Sequence, residues 1–212
     1  MCVSLLSECG IGPSDSFVRA PFVDPCAALR SHMCCPLVAP LLPSFAHVLL
    51  VAHTCACVWQ LKDRHNGNIL LTNSGHIVHI DFGFMFLSSP GKGMGFETAP
   101  FKLTREQVEL LGGPHSRTFM RYRELCVKSF MELRKHAQTI IFLVEMLVGG
   151  NEDLPCFAGR PDDALLELRD RFKLTMHDAA CRDYVNALID ESLENWRTRW
   201  YDRYQRCCTG VL

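Results

Sequence analysis

The stretch that decides the fold is Lys62-Asp63-Arg64-His65-Asn66-Gly67-Asn68, followed by His79-Ile80-Asp81-Phe82-Gly83. Asp63 and Asn68 stand in a D-x-x-x-x-N spacing, and Asp81 opens a D-F-G triplet thirteen residues after Asn68. A candidate base, one oxygen ligand for a metal and a second oxygen ligand therefore follow one another in the order that phosphoryl transfer needs. A D-F-G triplet by itself is a weak signal. The three parts together, at this spacing, are a strong one.

Working outward, Ile69-Leu70-Leu71 and Ile77-Val78-His79-Ile80 are short β-type runs, and Asn73-Ser74-Gly75 supplies turn chemistry between them. This predicts a hairpin with Asn68 entering one strand and Asp81 leaving the other, so that both emerge at the same edge. Residues 84–102 are rich in glycine and hold two prolines, and read as a mobile loop. Thr104 is placed to cap a helix that stops at Gly112-Gly113-Pro114. Ser116 caps the next, where Phe119, Tyr122, Cys126, Phe130 and Leu133 recur at helical spacing. Ile140, Ile141, Val144 and Leu147 continue the pattern, and residues 162–172 and 175–206 read as further helices. The expected fold class is α+β and mostly helical: a hairpin carrying two functional loops, packed on a helical bundle.

The chain has 212 residues and a formal net charge of −1, so nothing in its overall balance draws it to nucleic acid. Of its twelve cysteines, seven precede residue 60. Cys55-Ala56-Cys57 and the adjacent pairs Cys34-Cys35 and Cys207-Cys208 lack zinc-finger spacing, and reduced thiols are the expected state. Residues 31–61 contain no Asp, Glu, Lys or Arg. That length could span a bilayer. Pro36, Pro40, Pro43, His47 and His53 favour instead a buried helix over about residues 45–61, apolar all round. Two parts are expected: an irregular segment at 1–44, which need not be native coding sequence, and a catalytic unit at 45–212.

The run from Asp63 to Leu71, the run from Gly75 to Phe84, and the strings Ser88-Ser89-Pro90, Gly95-Phe96-Glu97-Thr98 and Phe101-Lys102-Leu103-Thr104 resemble the catalytic core of phosphatidylinositol 4-kinases, in particular their type III beta branch. The D-R-H order, where protein kinases write H-R-D, is similar to that of phosphoinositide kinases and their large protein-kinase relatives. The likeness covers roughly residues 60–212. It implies a kinase C-lobe, ATP and Mg2+ as cofactors, phosphatidylinositol in membranes as substrate, and phosphorylation of the inositol 4-hydroxyl. It also implies a cytoplasmic protein peripheral on Golgi-type membranes.

By the same resemblance, Asp81 and Asn68 hold magnesium and the nucleotide phosphates. Asp63 orients or accepts from the inositol hydroxyl, and His65 contributes charge or proton transfer; either could instead be structural. Arg64 is expected to pair with a neighbouring carboxylate or carbonyl, while His76 and His79 are expected to pack or face solvent. Lys92 lies in the loop that faces the lipid headgroup in this family. As the single basic residue between Phe82 and Phe101, it favours a headgroup without further phosphates.

At the C-terminus, Trp196, Trp200, Tyr204 and Cys207 form a stripe flanked by Arg199, Arg203 and Arg206. This suits either a membrane interface or packing on the bundle. No lysine precedes Lys62, and Gly10-Ile11-Gly12 is not a phosphate-binding glycine loop. The expectation is therefore an absent N-lobe, and with it a rival reading: a truncated, inactive C-lobe that binds membrane or a partner. A Ser/Thr kinase relative of the same fold is a third reading.

Overall fold

The computed structural model describes residues 17–19, 53–54, 56–72, 77–90, 98–157, 159–193 and 195–210. Three strands, β1 (Phe17–Arg19), β2 (Ile69–Thr72) and β3 (Ile77–His79), form an antiparallel sheet in the order β1-β2-β3. Ile69 faces His79 and Leu71 faces Ile77, which is the hairpin read from the sequence. In the segment expected to be irregular, residues 17–19 pair with β2, Phe17 opposite Thr72. The rest of 1–44, the turn at 73–76 with His76, and Lys92 lie outside the described residues.

Six α-helices follow: α1 (Arg105–Leu110), α2 (Arg117–Lys135), α3 (Ala137–Val148), α4 (Pro161–Arg171), α5 (Asp178–Ser192) and α6 (Trp196–Thr209). Local chemistry sets their ends. The Thr104 hydroxyl accepts from the Gln107 amide at 3.3 Å, and the Gln107 side chain accepts from the Thr104 amide at 2.8 Å, a reciprocal capping box. Past α1 the chain turns through Gly112 and Gly113 at φ of 86° and 92°, where a side chain would be strained. Ser116 caps α2 by accepting from the Phe119 amide at 3.0 Å. Pro161 opens α4 at a position where no intrahelical amide is needed.

The core lies between these helices and the segment leading to the catalytic loop. The inward face of α2 is Phe119, Tyr122, Cys126 and Phe130, packed on α5 through Cys181, Val185 and Ile189. Arg123 ties the two helices at their rim, with nitrogens 2.5 and 3.1 Å from the Asp190 carboxylate. In α3, Ile141 and Val144 are buried but Leu147 is half exposed, because the helix rests on α4 along one narrow stripe. The helical residues 56–59, with Ala56, Cys57 and Val58 buried, fit the expected apolar helix ahead of Lys62. Among the described residues no helix is long and apolar enough to cross a membrane.

Candidate active site

Residues 60–68 turn sharply off the end of that helix. Gln60 and Asp63 both take left-handed backbone, at φ of 50° and 60°. A short 3-10 turn, Asn66–Asn68, then leads into β2. On the other side of the hairpin, Asp81 also has φ of 56°. Aspartate enters this region more readily than most residues, yet two such residues facing one loop still need fixing in place.

Arg64 does the fixing. Its side chain is buried, and its guanidinium donates to the carbonyls of Lys62 at 2.8 Å and Ile80 at 2.7 Å, and to that of Asp81. It also reaches the Asn68 carbonyl at 3.5 Å. One planar five-donor group thus ties the catalytic loop to the D-F-G segment. The Ile80 amide donates to the Asn68 carbonyl at 3.1 Å, so Asn68 and Asp81 leave the hairpin at the same end. A second set of backbone bonds runs alongside, Lys62 amide to Phe84 carbonyl at 2.9 Å and Phe86 amide to Trp59 carbonyl at 3.0 Å.

The Asn68 side-chain amide donates to the Asp63 carbonyl at 3.0 Å and lies 3.4 Å from Oδ2 of the Asp63 carboxylate. This orients the group so that its Oδ1 is left as an acceptor. Asp81 is exposed, and its Oδ1 accepts from the Gly83 amide at 3.2 Å. A Cβ at position 83 would stand 3.2 Å from that oxygen, so glycine keeps it approachable. An amide oxygen and a carboxylate at one loop end are oxygen donors only, which fits a hard cation such as Mg2+ that keeps several waters.

His65 sits 3.8 Å from Asp63 through Nε2, while its Nδ1 accepts from the Gly67 amide at 3.1 Å. With Nδ1 accepting, the proton of the neutral ring is on Nε2, the nitrogen toward Asp63. His79 packs beneath, on β3. Both its ring nitrogens are buried, and they have no hydrogen-bond partner among the described residues. Burial, then the Arg64 and Lys102 charges, hold its pKa down at about 4, so it is neutral.

Two features of the site have no signal in local sequence. Tyr201 on α6 is buried, and its hydroxyl donates to Oδ1 of Asp63. Lys102 is buried too, and its ammonium lies 2.6 Å from the Asp202 carboxylate and 3.2 Å from the Asn66 side-chain oxygen. Ala99, Phe101 and Leu103 are buried in the core, and the Lys102 side chain between them is buried against Asn66 and Asp202. Nothing in the spacing of positions 102 and 201 announces these partners. At the base of the site, Arg171 of α4 reaches the carbonyls of Val58 at 3.4 Å and Phe86 at 3.3 Å.

Trp196 and Trp200 are not in this cleft. They lie on the side of α6 away from Tyr201, 64% and 45% exposed, with Tyr204 at 47% beside them. Asp63, His65 and Asn68 are together, Asp81 joins them through Arg64, and Lys92 is outside the described residues.

Residues 51–157 match the family model for phosphatidylinositol 3- and 4-kinase. The chain is similar to phosphatidylinositol 4-kinase beta 1 of Arabidopsis thaliana, 50% identical over 157 residues, which is 72% of this chain and 14% of that protein. It is also similar to phosphatidylinositol 4-kinase PIK1 of Saccharomyces cerevisiae, at 46% over 76% of this chain and 15% of that protein, and to the phosphatidylinositol 4-kinase of Dictyostelium discoideum, at 44% over 73% and 13%. The chain thus spans about one seventh of the length of these relatives. On the family match, over half of its own length, this chain belongs to the phosphatidylinositol 3- and 4-kinase family.

Proposed function

We propose that the chain carries the catalytic-loop side of a phosphatidylinositol 4-kinase active site, which transfers the γ-phosphoryl group of ATP to the inositol 4-hydroxyl of phosphatidylinositol. The observation that carries this reading is the Arg64 clamp, which ties the loop of Asp63 and Asn68 to the segment of Asp81. The names of the similar proteins support the 4-kinase assignment over the wider family and over the protein-kinase reading. Magnesium, when bound, neutralises phosphate charge and aligns the transferred group. Asn68 Oδ1 and the Asp81 carboxylate would hold it.

Asp63 is the better acceptor for the inositol hydroxyl proton. Tyr201 and Asn68 donate to its carboxylate and hold its orientation, and an ionised carboxylate is acceptor-only. His65 is the worse base, since its Nδ1 lone pair is taken by Gly67 and its Nε2 carries the proton. Its role is that of a donor toward Asp63 or a phosphate oxygen. The outer face of α6, with Trp196, Trp200 and three arginines, supports peripheral attachment to an anionic membrane surface, where the substrate resides.

The test is phosphorylation of phosphatidylinositol vesicles with labelled ATP by the full-length kinase that contains this chain. Product phosphorylated at the 4-position, lost in Asp81→Ala, is expected. Product at another position would overturn the 4-kinase reading, and full activity in Asp81→Ala would overturn the site.

A further inference from the structure

Helix α6 ends in two adjacent cysteines, Cys207 and Cys208, both exposed. At 3.6 residues per turn, Trp196, Trp200, Tyr204 and Cys207 fall within an arc of about 80°, and Cys208 lies about 40° past its edge. The inward residues Tyr201 and Gln205 lie about 60° and about 100° past the Tyr204 edge of that arc, tied to each other at 2.7 Å and to Asp63. Arg199, Arg203 and Arg206 border the aromatic arc, all exposed. The helix therefore presents one face with indoles, a phenol and a thiol in line, and a basic margin.

The other described cysteines are placed differently. Cys57, Cys126 and Cys181 are buried and Cys156 is half buried. Burial pushes the Cys57 thiol up to about 11 and the Cys126 thiol up to about 12, which keeps both protonated as well as enclosed. Cys207 and Cys208 are the described thiols a large reagent can reach.

We propose that Cys207, with Cys208 beside it, is an S-acylation site that takes a long-chain fatty acyl group from an acyl-coenzyme A donor. The proposal rests on the membrane reading of the α6 outer face. An interfacial helix or one acyl chain alone gives marginal, reversible attachment, and stable anchoring takes two signals. A cysteine on an amphipathic helix is a suitable acceptor. Here the sulfur of Cys207 is on the same arc as the aromatic rings, so a helix lying with those rings at headgroup depth puts the thiol at the acyl boundary, where such donors partition. Arg203 and Arg206 complement the phosphates of coenzyme A. In the step, the cysteine sulfur, as thiolate, attacks the thioester carbonyl. A new sulfur–acyl bond forms, the bond to coenzyme A breaks, and coenzyme A leaves as a thiol with the proton the cysteine gave up. No electrons are transferred, and hydrolysis of the thioester reverses the attachment.

The experiment expresses the full 212-residue chain in eukaryotic cells fed an alkyne analogue of palmitate, and reads the label on purified protein. Separately, unmodified chain made in bacteria is tested for binding to phosphatidylcholine–phosphatidylserine vesicles. Label that neutral hydroxylamine removes is expected on the native chain. It should fall to background in Cys207→Ser/Cys208→Ser, whose thermal melt should match the native one because both side chains are exposed. The single variants show which sulfur is used. No label, label resistant to hydroxylamine, or label retained in the double variant overturns the proposal. Label present while unmodified chain ignores vesicles leaves the acylation standing and removes the aromatic membrane role. Vesicle binding with no label does the reverse.

Discussion

The hydroxyl of Tyr201 donates to the carboxylate of Asp63 across 138 residues of sequence, and Gln205 donates to the same hydroxyl at 2.7 Å. Helix α6 is thereby part of the catalytic loop's support. A hydrogen bond to a charged group contributes about 1.5–3 kcal/mol, so Tyr201→Phe should lower stability by about that amount in urea unfolding with an unchanged m-value. A double-mutant cycle with Asp63→Ala, which removes the acceptor, should show coupling between the two positions. Strictly additive effects would mean that the contact contributes nothing.

Arg64 offers a second test. Lysine keeps the charge but cannot span the carbonyls of Lys62, Ile80 and Asp81 with one planar fork. Arg64→Lys should cost about 2–4 kcal/mol, through lost charged hydrogen bonds and carbonyls left unsatisfied. Amide exchange should rise at Ile80 and Lys62, whose backbone bonds hold the loops together. A variant with native exchange at both amides would show that the backbone bonds suffice.

For the chemistry, the full-length kinase is the setting. Asp81→Ala removes the carboxylate proposed to hold the metal, and should abolish turnover. Asp63→Asn keeps the Tyr201 and Asn68 contacts nearly isosteric but removes the proposed proton acceptor. It should lower kcat while leaving KM for ATP close to native. Near-native kcat in both variants would sink the assignments.

Acid should loosen the core at His53. Its ring shares a 2.7 Å hydrogen bond with the Tyr122 hydroxyl and stacks on Phe101. Burial, then the neighbouring His79, lowers its pKa from 6.5 to about 3. The unfolded chain binds this proton near pH 6.5 and the folded chain does not, so the stability contribution is complete above pH 6.5 and is lost progressively as pH falls toward 3. One such group gives a slope of about 1.4 kcal/mol per pH unit within that window. Urea midpoints measured from pH 7.5 to 5 should fall with pH in the native chain and fall less steeply in His53→Asn. Equal slopes would remove the role of His53.

The two tryptophans separate the proposed membrane face from the core. Both are largely exposed, so Trp196→Ala/Trp200→Ala should leave the melting temperature near native. Binding to anionic vesicles should weaken, and the remainder should be sensitive to salt through Arg199, Arg203 and Arg206, each worth roughly 1 kcal/mol near an anionic surface. Unchanged vesicle affinity in the folded variant would end the membrane reading of α6.

Short-range features were legible in the sequence. The D-x-x-x-x-N and D-F-G spacing, the hairpin, and the Thr104 and Ser116 caps depend on residues within a few positions of one another, where backbone geometry leaves few choices. The family was legible for the same reason, since its motifs are local strings. What holds the site was not. Helix α6 carries aromatic residues on both sides, Trp196, Trp200 and Tyr204 on one and Tyr201 on the other, so helical periodicity could not say which would be buried. Lys102 likewise has no partner signalled by its neighbours in sequence; the fold brings Asp202, 100 residues away, and Asn66 to it. The sequence determined which groups the loops present. Only the packing of α6 against the catalytic loop decided which partners fix them, because a side chain's partner across a hundred residues is set by how the helices dock, and no local spacing encodes that.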